Sequence, residues 1–285
     1  MENKFEICFA KDYEFKEIVD KLDLYFDKFP GYFESLVPVL YKKGKNTSSN
    51  HIVVKYESRI VGMIAVKENK IMLGEDEFSF VLLGSLAVDF DFRNQGIMGL
   101  LFEFILDKYS DCDFLGLSGK FDRYKRFGFY PSEKSYSYSY KKISDDYKYT
   151  YELVNENDIN ICLELHNKEY FKVFRENMLD NLYMWEYKPY IIKNEDRVLG
   201  YLVYNHKNNI IEEIKLYDYN LINDVVYNFC SFMDVDTNLK ISMANSYLVD
   251  YLDDNLSYEE YIERTLYKIN NSKLKGIYIP RSDLI

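Results

Sequence analysis

The stretch Arg93-Asn94-Gln95-Gly96-Ile97-Met98-Gly99 stands between two apolar segments, and it constrains the fold more than any other part of the chain. Phe78 to Val88 has the look of a buried strand, and Leu100 to Leu106 has helical spacing. A strand that feeds a Gly-containing loop and then a helix N-terminus forms an anion site. The first backbone N–H groups of the helix have no intrahelical partner, and the helix dipole adds partial positive charge there. Gly96 lets a bulky phosphate approach the backbone, and Arg93 adds a full charge. The chain contains no Gly-x-Gly-x-x-Gly and no Gly-x4-Gly-Lys-Ser/Thr, which excludes the commoner nucleotide loops.

A second motif follows about twenty-five residues later. Asp113 to Ser118 reads as the next strand, and Gly119 to Pro131 contains Tyr124-Lys125-Arg126-Phe127-Gly128-Phe129. Together the two stretches resemble the GNAT N-acetyltransferases. The first is similar to their Arg-x-x-Gly-x-Gly/Ala loop, which wraps the pyrophosphate of acetyl-CoA. Met98 stands where the family has Gly or Ala, with Gly99 one step later, and Phe90 stands where a proline is frequent. The second is similar to the Tyr-x-x-x-Gly-Phe signature that closes the acetyl-CoA site. The spelling from Ser118 to Phe129 resembles the enhanced-intracellular-survival (Eis) type, in which an altered GNAT-like domain and then a sterol-carrier-like domain follow.

The resemblance implies an α/β fold of α+β mixed-sheet type, with two tandem GNAT-like folds, the second degenerate. Residues 1–145 form the acetyl-CoA-binding domain and residues 146–285 the degenerate one. The pattern along the chain agrees. A strand at Phe5 to Ala10 and helices at Tyr13 to Phe26 and Tyr32 to Lys42 precede a hairpin at His51 to Val66. Ser135 to Tyr140 alternates with period two and closes the first fold as a strand. After a polar linker the pattern restarts. Helices are expected from Asp158 to Tyr170, from Arg175 to Trp185 and from Leu221 to Met233. Strands are expected at Tyr187 to Lys193, Arg197 to Asn205 and Ile210 to Tyr217, and the tail from Tyr258 adds a helix and then a strand at Lys275 to Ile279. The counterpart of the phosphate loop, Leu216 to Ile222, has no Gly and no Arg and carries Asp218, so this domain is expected not to bind CoA. A sterol-carrier-like domain is not expected within these 285 residues.

A net charge of −11 argues against a general nucleic-acid binder. The C-terminal part carries the excess: residues 151–285 hold 14 basic and 23 acidic residues, residues 1–150 hold 22 and 24. An acidic wall beside a transfer site would favour a cationic amine; acidic surface also serves solubility. Cys8, Cys112, Cys162 and Cys230 form no metal-ligand spacing, so no metal is expected, and they fit reduced thiols of a cytoplasmic protein. No signal peptide or membrane span is read from the sequence.

The resemblance also assigns roles. Acetyl-CoA is the co-substrate, with Arg93, Asn94, Gln95, Gly96, Met98 and Gly99 as its cradle and the strand end Leu86, Ala87 and Val88 pairing with its pantetheine arm. A strand N–H near Val88 would serve the developing oxyanion, and Tyr124 would protonate the leaving thiolate. No base is evident on the long strand, which offers Ser79 and Ser85. The C-terminal carboxylate of Ile285 resembles the base of Eis-type enzymes, with Glu77, Asp89 and Asp91 as alternatives. Lys120, Arg123, Lys125 and Arg126 are read either as a seat for the 3′-phosphate, with Arg123 as cofactor ligand, or as a solvated helix face. Trp185 is read as core of the second domain, with substrate stacking the other reading. The expected activity is acetyl transfer to a primary amine, on a small molecule or a lysine side chain, with no nucleic-acid or membrane partner; a homo-oligomer is compatible with it. The rival is a non-catalytic acyl-CoA-binding or regulatory protein, and a longer acyl donor is a third reading.

Overall fold

The computed structural model describes residues 4–131, 134–262 and 265–274. In chain order the first half contains β1 (Glu6–Phe9), α1 (Phe15–Tyr25), α2 (Tyr32–Leu36), α3 (Pro38–Tyr41), β2 (His51–Tyr56), β3 (Arg59–Leu73), β4 (Asp76–Val88), α4 (Ile97–Lys108), β5 (Phe114–Ser118), α5 (Phe121–Tyr124), β6 (Tyr130–Pro131) and β7 (Lys134–Tyr140). The second half contains β8 (Thr150–Leu153), α6 (Ile159–Asn167), β9 (Phe171–Val173), α7 (Met178–Leu182), β10 (Lys188–Asn194), β11 (Arg197–Asn205), β12 (Ile210–Leu216), α8 (Ile222–Met233), β13 (Thr237–Ser242), β14 (Tyr258–Ile262) and β15 (Thr265–Ile269).

Strands β1 to β4 run antiparallel, and β4 and β5 run parallel because α4 carries the chain back across the sheet. Both faces of this sheet are covered, which is why its strands read as nearly continuous apolar runs. On one face Val53, Phe80 and Leu82 pack with Ile18 and Leu22 of α1. On the other, Ile52, Val54 and Val81 pack with Ile97, Leu101, Phe102 and Ile105 of α4. The second half repeats the plan. β8, β10, β11 and β12 are antiparallel, β12 and β13 are parallel, and α8 makes the crossover between them.

The two sheets trade strands across the expected boundary at 145. β7, from before it, lies between β13 and β14 in the second sheet. β15, from the tail, lies between β5 and β6 in the first. β9 adds to the far end of β3, with Ile71 opposite Val173. Asp180 of α7, buried, takes Lys42 at 2.9 Å and Lys45 at 2.6 Å from the first half.

Several local expectations differ from the structure: the helix expected at Tyr32 to Lys42 breaks at Val37 before Pro38, and the one expected to reach Tyr170 ends at Asn167. The tail from Tyr258 begins with two strands in place of a helix, and the strand expected at Lys275 to Ile279 lies outside the described residues. The helix expected from Arg175 starts later, because the Asn177 side chain accepts the Asp180 N–H at 3.1 Å and caps α7 there. It also ends earlier, at Leu182.

Two histidines lie buried in these cores. His51 Nδ1 meets the Thr47 carbonyl at 2.9 Å and Nε2 meets the Tyr41 hydroxyl at 3.0 Å. His166 Nε2 meets the Val173 carbonyl at 2.8 Å, and its Nδ1 has no hydrogen-bond partner. Burial pushes His51 down to about 4, and burial with the nearby Arg175 charge pushes His166 down to about 3. Both folded values lie below the ordinary 6.5, so the unfolded chain takes up protons first as pH falls. Stability is therefore full above about pH 7 and falls below pH 6.5, by about 2 kcal/mol per histidine at pH 5. Urea unfolding at pH 7.5 and pH 5 checks this; equal stability at the two values would contradict it.

Candidate active site

The site is built where β4 and β5 part. Their parallel pairing runs from Phe80 opposite Phe114 to Leu83 opposite Leu117 and stops, while β4 continues to Val88. On its other side β4 stays paired with β3, but with a bulge. Met63 faces Ala87 and Ala65 faces Gly84, so two residues of β4 oppose one of β3. Ser85 within the bulge has φ +49°. The bulge reverses which residues face which core. Before it, the even positions Phe78, Phe80 and Leu82 join the α1 side; after it, Ala87 does, and Leu86 and Val88 turn to the α4 side. Beyond Leu83 the β5-facing edge of β4 has no strand partner among the described residues. Such an edge can pair with an extended ligand.

The phosphate loop follows at once. Asp89 accepts the Asp91 N–H at 3.1 Å and caps a short turn, Phe90 to Phe92. Asn94 (φ +62°) and Gly96 (φ +82°) then take left-handed conformations and set the N-terminus of α4. A Cβ built at Gly96 or at Gly99 would meet nothing within 4 Å, so the space in front of the helix is open. A cavity of about 770 Å³ lies there. It is lined by Leu86, Ala87, Val88, Arg93, Asn94, Gly96, Met98, Gly99, Arg123 and Tyr124, and by Arg126 of the basic cluster, all of which the sequence had named. The open helix start, three arginines lining the cavity and the unpartnered strand edge suit a pyrophosphate with an amide-bearing arm. The Gln95 side chain faces away: it donates to the Asp91 carbonyl at 3.1 Å and accepts from Lys4 at 3.2 Å. Ile285 lies outside the described residues.

A second cavity, of about 400 Å³, meets the first at Phe26, Leu86, Arg123 and Tyr124. It lies in the gap between β4 and β5 and is walled by Tyr32, Phe33 and Trp185, with Ser85 and Ser118 at its base. Trp185 thus packs against both halves and reaches the site of the first. It is held there by backbone at φ +62°, followed by Glu186 at φ +61°. Such strain in non-glycine residues persists only where the surroundings fix it, and it gathers at functional sites.

Tyr124 stands between the cavities. It is 8% exposed, packs its ring on Phe102 at 5.6 Å, and has its hydroxyl pushed above the ordinary value by burial, so it stays protonated. Its ring occupies the space a side chain at Gly119 would need: a Cβ there would meet Tyr124 Cε2 at 2.5 Å. The basic cluster divides. Lys120 and Arg123 line the smaller cavity, Arg123 and Arg126 the larger, and Lys125 turns to Asp122 at 2.7 Å.

The alternative bases are placed elsewhere. Glu77 pairs with Lys70 at 2.8 Å at the far end of β4. Burial would raise the Asp89 carboxyl, but hydrogen bonds from Tyr25, the Asp91 N–H and Arg59 hold it below the ordinary range. Asp91 is exposed in the loop. Among the described residues neither cavity is lined by a carboxylate or a histidine, and no group of three or more His, Cys, Asp and Glu is placed to hold a metal. Among them, too, no helix is long and apolar enough to cross a membrane.

At the start of α8, Asp218 accepts the Asn220 N–H at 3.0 Å, so a carboxylate stands where a phosphate would bind. Beyond the parallel pairs Ile210–Asn238 and Ile211–Leu239, the buried Lys240 and Glu212 form an ion pair of 3.0 Å.

Residues 16–129 match the model of the acetyltransferase (GNAT) family, and this part of the chain is a GNAT-family domain. No curated protein matches the chain in sequence. Among solved structures, a probable N-acyltransferase from Enterococcus faecalis V583 superposes with a TM-score of 0.71 at 12% identity, over 94% of this chain and 73% of that one. Eis1 from Mycobacterium abscessus gives 0.64 at 12%, over 93% and 73%. The N-myristoyltransferase of Saccharomyces cerevisiae gives 0.54 at 10%, over 93% and 81%. At these identities the likeness is one of fold.

Proposed function

We propose that the chain transfers an acetyl group from acetyl-CoA to a primary amine, both held together in one complex. The observation that carries this is the meeting of the two cavities at Tyr124 and the β4 bulge. One cavity fits a CoA arm, the other opens onto the same point. The family match and the N-acyltransferase neighbours support an acyltransferase.

When bound, acetyl-CoA supplies the thioester carbonyl that the amine attacks. The α4 N-terminus and Arg93 bind phosphate charge, and the open edge of β4 orients the arm. The backbone N–H near Val88 donates to the developing oxyanion. As the N–C bond forms and the C–S bond breaks, the Tyr124 hydroxyl gives its proton to the departing sulfur, and the proton shed by the nitrogen returns to the tyrosinate oxygen. No carboxylate among the residues that line the cavities stands ready to take the additional proton of an ammonium, so the acceptor enters as the free amine. The rate should accordingly rise with pH along the acceptor's own titration, with no earlier limb near pH 4 or pH 6.5 from a carboxylate or a histidine.

A screen of amines with release of free CoA thiol tests the reading. Product formation whose kcat/KM tracks the acceptor pKa is the expected result. CoA binding without product from any amine would favour the rival reading, a non-catalytic acyl-CoA-binding protein, which the lack of a lining base supports.

A further inference from the structure

The smaller cavity is cationic in an acidic protein. Lys28, between α1 and α2, and Lys120 and Arg123, around the start of α5, all line it. None of the three forms an ion pair with a described residue, although the chain carries a net charge of −11 and lysines such as Lys125, Lys42 and Lys45 do; Lys28 lies over the Tyr32 ring at 5.2 Å.

Four carboxylates of the elements that line the cavity or adjoin it are committed elsewhere. Asp23 accepts the Gly31 N–H at 2.7 Å and the Phe33 N–H at 3.2 Å, which fixes the turn that carries Lys28. Asp122 is paired with Lys125, Asp89 with Arg59, and Glu186 with Lys207. Gathering like charges without counter-ions costs free energy unless a ligand supplies the opposite charge. The rest of the wall is mostly apolar, with Phe26, Tyr32, Phe33 and Trp185 as aromatic members.

We propose that the acceptor is an amine carrying an anionic group on an apolar or aromatic body. The body lies against Trp185 and Tyr32, the anion is held by Lys28 and Lys120, and the amine points to Tyr124. This rests on the acyl-transfer reading above. It sets aside polycationic acceptors: an acidic wall would have favoured a cationic amine, but among the described residues no carboxylate lines the cavity.

The test compares kcat/KM, normalised to the free-amine fraction, for five acceptors at fixed acetyl-CoA. Phenylalanine carries a carboxylate and its phosphonate analogue a phosphonate, phenylalaninamide and phenethylamine carry neither, and spermidine is a polycation. Wild type and Lys28→Glu are assayed side by side. Lys28 is exposed and lines only the smaller cavity, so the variant is expected to fold and to keep its acetyl-CoA affinity by calorimetry. The expected result is about a tenfold or greater preference of the wild type for an anionic acceptor over the amide, lost in Lys28→Glu. Carboxylate and phosphonate together distinguish the two anion types. Equal or better use of phenylalaninamide or spermidine overturns the inference and leaves acyl transfer standing, as does a preference that Lys28→Glu does not change. No product from any acceptor overturns both.

Discussion

Tyr124→Phe is expected to lower kcat by about 10²- to 10³-fold while leaving the acetyl-CoA dissociation constant within about twofold. The ring supplies the packing: it is 8% exposed and rests on Phe102, and phenylalanine keeps that surface. Only the hydroxyl is lost. Burial raises its pKa, so it is protonated across the working range and suited to give a proton to a thiolate as the C–S bond breaks. Gly119→Ala is a complementary variant, because its Cβ would displace the same ring, 2.5 Å away, without removing the hydroxyl. It should also depress kcat, by pushing the donor out of line. Steady-state kinetics with calorimetric binding separates the two terms. A kcat within a few-fold of wild type in Tyr124→Phe would remove the tyrosine from the chemistry.

Arg175→Ala is expected to destabilise the fold by about 3–5 kcal/mol. Arg175 and Glu213 are almost wholly buried and form a paired contact, Nη1 to Oε1 at 3.1 Å and Nη2 to Oε2 at 2.7 Å. The Tyr201 hydroxyl adds a third hydrogen bond to Oε1 at 2.6 Å. Burial would raise the Glu213 carboxyl, but the Arg175 charge holds it well below the usual range. Removing the guanidinium leaves a buried carboxylate without its bidentate partner, with only the Tyr201 hydroxyl bond and the more distant Lys215 charge to offset its burial. The pair itself need not be stabilising relative to an apolar one, so Arg175→Leu with Glu213→Leu should recover most of the loss. Urea unfolding of the single and double variants checks both statements, and a single variant within about 1 kcal/mol of wild type would contradict the first.

Much of the first half was legible because its signals are local. The run Phe78 to Val88, the loop from Arg93 to Gly99 and the helix behind it need only neighbouring residues to specify a strand, an anion-binding turn and a crossover. What was not legible is non-local. The alternation of Ser135 to Tyr140 gives a strand and its faces, but not which sheet it joins, and it joins the second. The Ser85 bulge is hidden because both faces of β4 are apolar, so a change of phase leaves the pattern unchanged. Trp185 reaches the site through two left-handed residues with no glycine or asparagine to announce them. The smaller cavity needs Lys28, Lys120 and Trp185 together, and their spacing along the chain holds no hint of it. The charge excess of the second half was visible, but its placement away from the cavity was not.

Acetyl-CoA binding by calorimetry, on the wild type and on Gly96→Glu, tests the central claim most directly. Gly96 has φ +82° and faces open space at the helix start, so a glutamate there adds strain, bulk and negative charge where pyrophosphate should sit. The account predicts that the wild type binds and that the variant binds at least about 100-fold more weakly. Binding of equal strength in the two proteins, or none in either, would contradict it.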